Sequence, residues 1–344
     1  MSDVGRKALA TICLCVVAHC GAAQDIHFSQ FQEMPLLRNP ALAGIYRGDM
    51  RVTTAHRSQW GSVTVPYRTQ ALGFETKFGV SAHSDDYLTL GAQLTQDVAG
   101  DSRLGRMQAL PLVAFHKILD EARSGYLTLA FMGGPVQQRF DPTQLRFDDQ
   151  FVNGSYSALN PTRQTFSRTQ VTYWDPSVGL SWSQIAGADL RLYAGAAYFH
   201  FLRPRVAFSP DSDIRLNAKV MFNAGLNAPL SEADRLILYL DYFAQGGNRQ
   251  AQGGALVSHR FLEMDEDYGI SLSAGAFYRW NDAVVPVLKL DMYAFGLGLS
   301  YDANTSKLRT ASTFRGGLEV TLSFRSFLQI RNGSLQRTRC PIPF

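Results

Sequence analysis

Cysteine is nearly missing from this chain. Of four, Cys13, Cys15 and Cys20 fall in the first two dozen residues, which leaves Cys340 alone in the remaining 320 or so positions. One thiol excludes an internal disulfide framework. Beyond the start, no apolar run approaches the roughly 18–20 residues that a membrane helix needs. Any crossing of a membrane after export must therefore be made by strands closed into a barrel. Charge is sparse as well: Asp, Glu, Lys and Arg make up 18% of the chain, and the net charge is +4. A balance that small and that scattered gives no argument for nucleic acid, and none is expected as a partner. The seven histidines (His19, His27, His56, His83, His116, His200, His259) show no metal-ligand spacing. There is no G-x-S-x-G elbow, no Walker loop, and no dinucleotide fingerprint between a strand and a helix. The expectation is a protein without catalytic, cofactor-binding or metal-binding residues.

What is abundant is glycine (29), phenylalanine (22) and tyrosine (14), and much of it alternates. In the stretch 268–324, Ile270, Leu272, Ala274, Ala276 and Tyr278 oppose Ser271, Ser273 and Gly275. Phe295, Leu297, Leu299 and Tyr301 oppose Gly296, Gly298 and Ser300. Leu318, Val320, Leu322 and Phe324 oppose Gly317, Glu319, Thr321 and Ser323. Period two makes each a strand with one apolar and one polar or small face. For one strand, a soluble sandwich and a transmembrane barrel read alike. Repetition along a whole exported chain favours the barrel.

Export is read from residues 1–23. Arg6 and Lys7 precede an apolar core at 8–18, and Gly21-Ala22-Ala23 supplies a small-residue cleavage site. A lipoprotein signal at Cys20 fits less well, because His19 sits where a small residue belongs. Residues 24–48, broken by Pro35 and Pro40, read as a non-strand N-terminal arm or plug. From 49 to 324 the alternation recurs in about fourteen segments, including 50–59, 70–78, 88–95 and 107–116. The series goes on with 126–133, 178–182, 190–198, 216–227, 236–242 and 251–261, before the four strands of 268–324. The predicted fold is all-β, a transmembrane antiparallel barrel of about fourteen strands. Several connections after odd strands are long, above all 135–175, although 246–248 and 281–282 are not, and those after even strands are mostly short. Barrels show this asymmetry between outer loops and periplasmic turns. It places both termini on the periplasmic side, with 325–344 as a C-terminal tail.

Charged residues keep to the polar faces: Glu75, Lys77, Arg191, Lys219, Asp241, Lys289, Asp291 and Glu319. Mutual pairing inside a wet or plugged lumen is the expected use. One Lys or Arg facing lipid at mid-depth costs about 2–4 kcal/mol. Phe74, Phe78, Trp182, Tyr198, Tyr242, Tyr278 and Phe324 fall on the lipid side, as girdle aromatics do. Gly296-Leu297-Gly298 reads as strand packing, and the run from Asp302 to Ser306 as an ordinary loop rather than a calcium site.

Several motifs resemble one family. They are Phe28-Ser29-Gln30-Phe31, then Asn39-Pro40-Ala41 with Ala43-Gly44, then Arg57-Ser58-Gln59-Trp60, with Pro66-Tyr67-Arg68-Thr69 beyond. Later come Phe277-Tyr278-Arg279, Phe295-Gly296-Leu297-Gly298, Arg315-Gly316-Gly317-Leu318-Glu319 and a Cys340-Pro341 ending. In combination they are similar to the PorP/SprF proteins, outer-membrane barrels associated with the type IX secretion system. The resemblance implies a non-enzymatic barrel that captures or anchors secreted proteins, including gliding adhesins, for display at the surface. It implies three partners: a secreted protein with a C-terminal sorting domain, other components of the apparatus, and outer-membrane lipid. Candidate partner-binding residues are Phe28, Ser29, Gln30, Phe31, Asn39, Pro40, Gly44, Arg57, Gln59 and Trp60. The outer loop adds Phe147, Asp148, Asp149, Gln150, Phe151 and Tyr156. In this reading the loop meets the partner outside, and the arm and tail face the periplasm. The alternative is an uptake channel for small or apolar solutes, with the arm as its hatch. A membrane hydrolase would have only His56 or His259 to work with, and neither has an orienting acid nearby in sequence.

Overall fold

The computed structural model describes residues 25–59, 65–81, 84–120, 124–152, 154–157, 159–187, 189–265, 268–306 and 315–326. The expected signal segment 1–23, Trp60 and the expected tail after Ser326 lie outside the described residues.

Sixteen strands follow in chain order. They are β1 Met50–Gln59, β2 Tyr67–Ser81, β3 Ser84–Ala99, β4 Leu104–Asp120, β5 Gly125–Arg139, β6 Phe151–Val152, β7 Ser155–Tyr156 and β8 Gln170–Ala186. The second half comprises β9 Leu190–Phe199, β10 Lys219–Pro229, β11 Asp234–Gln245, β12 Asn248–Asp265, β13 Tyr268–Arg279, β14 Ala283–Met292, β15 Phe295–Asn304 and β16 Arg315–Ser326. Fourteen close a barrel in which each strand pairs antiparallel with its neighbours, and β1 seals against β16. The other two, β6 and β7, form a small hairpin inside the loop between β5 and β8. All fourteen predicted segments are barrel strands. One begins later than expected: Leu216 and Ala218 precede β10, and Leu216 packs on an apolar cluster instead of joining the ladder.

Alternation sorts the side chains as the barrel requires. Leu72, Phe74, Leu94, Phe222, Leu240, Tyr278 and Leu322 point outward and are exposed. On the same strands Lys77, Thr95, Asn223, Asp241, Ser273 and Thr321 point inward and are buried. Lipid takes the first set, and the strands' closure satisfies the backbone that lipid cannot.

The lumen departs from the all-polar lining that the alternation suggests. Inward Met132, Tyr173, Met221, Phe243, Tyr239, Phe277, Val285 and Val287 are buried in two apolar clusters. They are covered by Leu36, Ala41 and Ala43 in one cluster, and by Phe31, Leu42 and Ile45 in the other. The arm is therefore a plug, and the barrel interior is a protein core rather than a pore. Its chain is a 3-10 turn Phe31–Glu33, a single α-helical turn Pro35–Arg38 and a second 3-10 turn Pro40–Leu42. Pro35 and Pro40 open their turns, where the missing N–H costs nothing. The Asn39 side chain caps the second by accepting from Ala41 N at 2.9 Å.

The arm also has a direction, which the sequence did not set. Asp25 hydrogen-bonds Gln245, at the long-loop end of β11, while Tyr46 reaches the backbone of Asp49 beside the short-turn end of β1. The described chain thus starts at the outer end of the lumen and descends through it before β1 begins. Its prolines rule out a ladder, but nothing in them sets the direction of travel.

Candidate functional site

The arm–wall interface is where the charged residues converge. At the outer end, Arg57 of β1 donates to Asp302 of β15 at 2.7 Å and to the His27 carbonyl at 2.5 Å. Arg279 of β13 donates to the same Asp302 oxygen at 2.8 Å. The other Asp302 oxygen accepts from the Ser29 hydroxyl at 2.5 Å. Glu319 of β16 accepts from the Ser29 and Gln30 amides, both at 2.7 Å, and lies 3.8 Å from Arg57. Asp302 is thus no loop residue but the hub of this network, brought to Arg57 by barrel closure and to Arg279 across the neighbouring strand β14.

Two further clusters follow. Asp25 is held by Arg106 at 2.6 Å and Lys219 at 3.0 Å, with His200 at 3.4 Å; His200 also meets Asp175 at 2.8 Å. Burial pushes the Asp25 carboxyl up, but Lys219, Arg106 and His200 outweigh it and hold it well below the usual carboxylate range. Burial pushes His200 down, and Asp25 with Asp175 reverses this, leaving the imidazole raised. Deeper, Arg38 forms a fork on Asp241 (2.8 and 2.5 Å), donates to Tyr193 at 2.8 Å, and lies 5.0 Å from the centre of the Phe31 ring. Near the short-turn end, Glu75 accepts from Gly44 N at 2.8 Å and pairs with Arg51, while Lys77 bonds the Tyr46 carbonyl. The charges that alternation placed inside pair largely with the arm rather than with one another. Lys289 does so too, reaching Glu33 at 2.8 Å.

Small residues make room for this. A Cβ on Gly298 would lie 2.1 Å from the Gln30 amide oxygen, and one on Gly179 would lie 2.1 Å from that of Asn39. Gly44 itself needs φ +73°, and its Cβ would meet Thr89 at 2.3 Å. Such contacts give the Phe28-Ser29-Gln30-Phe31 and Asn39-Pro40 motifs, and Gly44, a structural use.

The sequence-predicted residues accordingly fall into two groups. Phe28, Ser29, Gln30, Phe31, Asn39, Pro40, Gly44 and Arg57 are buried against the barrel wall, and Gln59 lies beside Arg57. Phe147, Asp148, Asp149, Gln150, Phe151 and Tyr156 stand together on the outer loop, residues 140–169. There Gln150 ties the turn to Asn160 through two bonds (3.1 and 2.9 Å), and Asp149 accepts from Arg163 N at 2.7 Å. Phe151 meets Tyr156 at a tilt across the β6–β7 hairpin, with ring centres 5.6 Å apart, yet stays 55% exposed. Arg38, Asp25, Arg106, Asp175, Arg279 and Asp302 were missed. Asp302 did carry a signal, since it lies two residues after Ser300 on the polar face of its strand. His259 has an acid after all, Asp234 at 2.7 Å on the neighbouring strand.

A second feature of the outer rim comes from strand lengths. β8 pairs with β5 from Gln170 to Ser183, but β9 meets β8 only from Ser177 onward. Among the described residues, the segment 170–175 therefore has no ladder partner on its β9 side. Trp174 on this segment is 56% exposed.

Comparison with solved structures returns outer-membrane barrels of low identity. The toluene transporter TbuX of Ralstonia pickettii is 11% identical, with 89% of this chain and 96% of that one covered and a TM-score of 0.44. The monoaromatic hydrocarbon channel CymD is 12% identical, with 89% and 94% covered and a TM-score of 0.47. CdiB from Acinetobacter baumannii is 9% identical at a TM-score of 0.38; 80% of this chain is covered but only 60% of CdiB. No curated protein matches. The family model of the type IX secretion system membrane protein PorP/SprF matches residues 20–324. With a closed β-barrel, the quoted motifs and that match over most of its length, this chain belongs to the PorP/SprF family of type IX secretion outer-membrane proteins.

Proposed function

We propose that this barrel is a non-enzymatic docking platform. On this reading it captures or anchors a secreted protein bearing a C-terminal sorting domain, in company with other components of the type IX apparatus. The observation that carries the reading is the rim formed by β5, β8 and the loop between them. Its edge at 170–175 leaves backbone donors and acceptors unpaired, and an extended segment of a partner adds naturally to such an edge. Phe151, Val152 and Phe166 on the adjoining loop offer exposed apolar contact. The filled lumen points the same way, since it leaves the outer surface as the place where a partner is met.

The test is cross-linking in intact outer membranes. A photoreactive residue at Thr172 or Phe151 is expected to trap a secreted or secretion-system protein, and one at lipid-facing Leu240 is not. Failure of both rim positions to trap any such protein overturns the proposal.

A further inference from the structure

The outward face of β2–β5 is graded in rows that the register makes explicit. At the outer end, Arg68 stands opposite Val98, Val98 opposite Gly105, and Gly105 opposite Arg139. The next outward row is Gln70, Gln96, Met107 and Gln137. Below it come Leu72, Leu94 and Ala109, and then Phe74. Descending toward the membrane, the wall thus passes from guanidinium to carboxamide to hydrocarbon. With strands about 4.8 Å apart, the two arginines of the top row stand roughly 14 Å apart. Val98 and Gly105 leave the space between them unfilled, and a cavity of about 930 Å³ opens there, lined also by Pro66 and Phe140.

Both acids that line the cavity are already engaged. Asp97 turns to the lumen and accepts from Thr69 at 2.6 Å, and Asp141 caps its own turn by accepting from the Thr143 amide and hydroxyl. Arg106, the inward cation of the group, is committed to Asp25. Arg68 and Arg139 have no ion-pair or hydrogen-bond partner among the described residues, and both are exposed.

We propose that this cavity binds the phosphate-bearing headgroup of an anionic lipid of the outer leaflet. Arg68 and Arg139 donate to phosphate oxygens, as planar guanidinium forks do. The glutamine row donates to headgroup oxygens, and the acyl chains lie along Leu72, Leu94 and Phe74. A free phosphate would use the arginines but not the apolar rows that lie below the glutamines.

Native mass spectrometry of the full mature barrel in non-ionic detergent tests this, with lipid A as the probe. Phosphatidylcholine and inorganic phosphate serve as separate arms. One bound lipid A is expected, undisplaced by equimolar phosphatidylcholine or phosphate. Losing a charge-assisted contact weakens binding by about tenfold or more. Arg68→Gln alone should therefore show roughly that loss, and Arg68→Gln/Arg139→Gln about a hundredfold. The exposed loop variant Arg163→Gln should bind like wild type. Heat-modifiable migration of each variant confirms a folded barrel. The proposal is overturned if the double variant binds as wild type does, if phosphatidylcholine binds equally well, or if inorganic phosphate displaces the lipid.

Discussion

Replacing Arg38 by Met tests whether the plug is held by charge or by shape. Asp241 is 0% exposed, and its two oxygens are bound by the Arg38 fork. Met keeps most of the aliphatic bulk over Phe31 but leaves a buried carboxylate without its cation. Breaking a buried pair in this way costs about 3–5 kcal/mol. At 1.4 kcal/mol per tenfold, the docked arm should lose roughly 100- to 4,000-fold in population relative to its undocked state. Hydrogen exchange reads this directly, because the amides of Ser29, Gln30 and Gly44 donate to wall carboxylates only while the arm is docked. Their protection should fall by about that factor. The companion variant Arg38→Met/Asp241→Leu removes the stranded charge along with its partner, and such apolar replacements are often neutral. It should restore most of the protection. The reasoning fails if the single variant leaves exchange unchanged, or if the double variant exchanges as fast as the single one.

Three further outcomes are expected. Gly44→Ala should destabilise arm docking by about 1–3 kcal/mol, because φ +73° and the Thr89 contact at 2.3 Å both resist a Cβ; urea titration of exchange protection measures it. Deleting 25–48 should turn a barrel of low conductance into an open pore in planar bilayers, and conductance equal to wild type would show that the lumen is not filled by this arm. The Asp25 cluster sets a pH window. Asp25 is held low, so its contribution is present at neutral pH and lost as pH falls below about 4. His200 is held high, so its contribution is complete below about pH 6.5 and lost as pH rises through its folded value. A nitroxide at Ile26→Cys, in a Cys340→Ser background, should therefore be least mobile between those limits.

Much of the architecture was legible before any coordinates. Phe222 and Asn223 differ by one position and face opposite media, and a period of two needs no tertiary information to be seen. Strand number, the sidedness of Lys219, Asp241 and Glu319, and the long loop after β5 all follow from that local rule. The outer-loop residues Phe147 to Tyr156 were likewise legible as a group, being contiguous.

Partnership was not legible. Arg57 and Asp302 are 245 residues apart and meet only because the barrel closes; Arg38 and Asp241 meet only because the arm enters it. Alternation says that Phe277 and Met221 turn inward but not what they cover, so the lumen reads as polar until Phe31 and Leu36 are placed inside. Local periodicity thus determined which face of each strand is wet. Closure and threading, set by long-range contacts with no short-range signature, decided that the wet face is a plugged interior, in which direction the plug runs, and that β8 keeps a bare edge where β9 stops short.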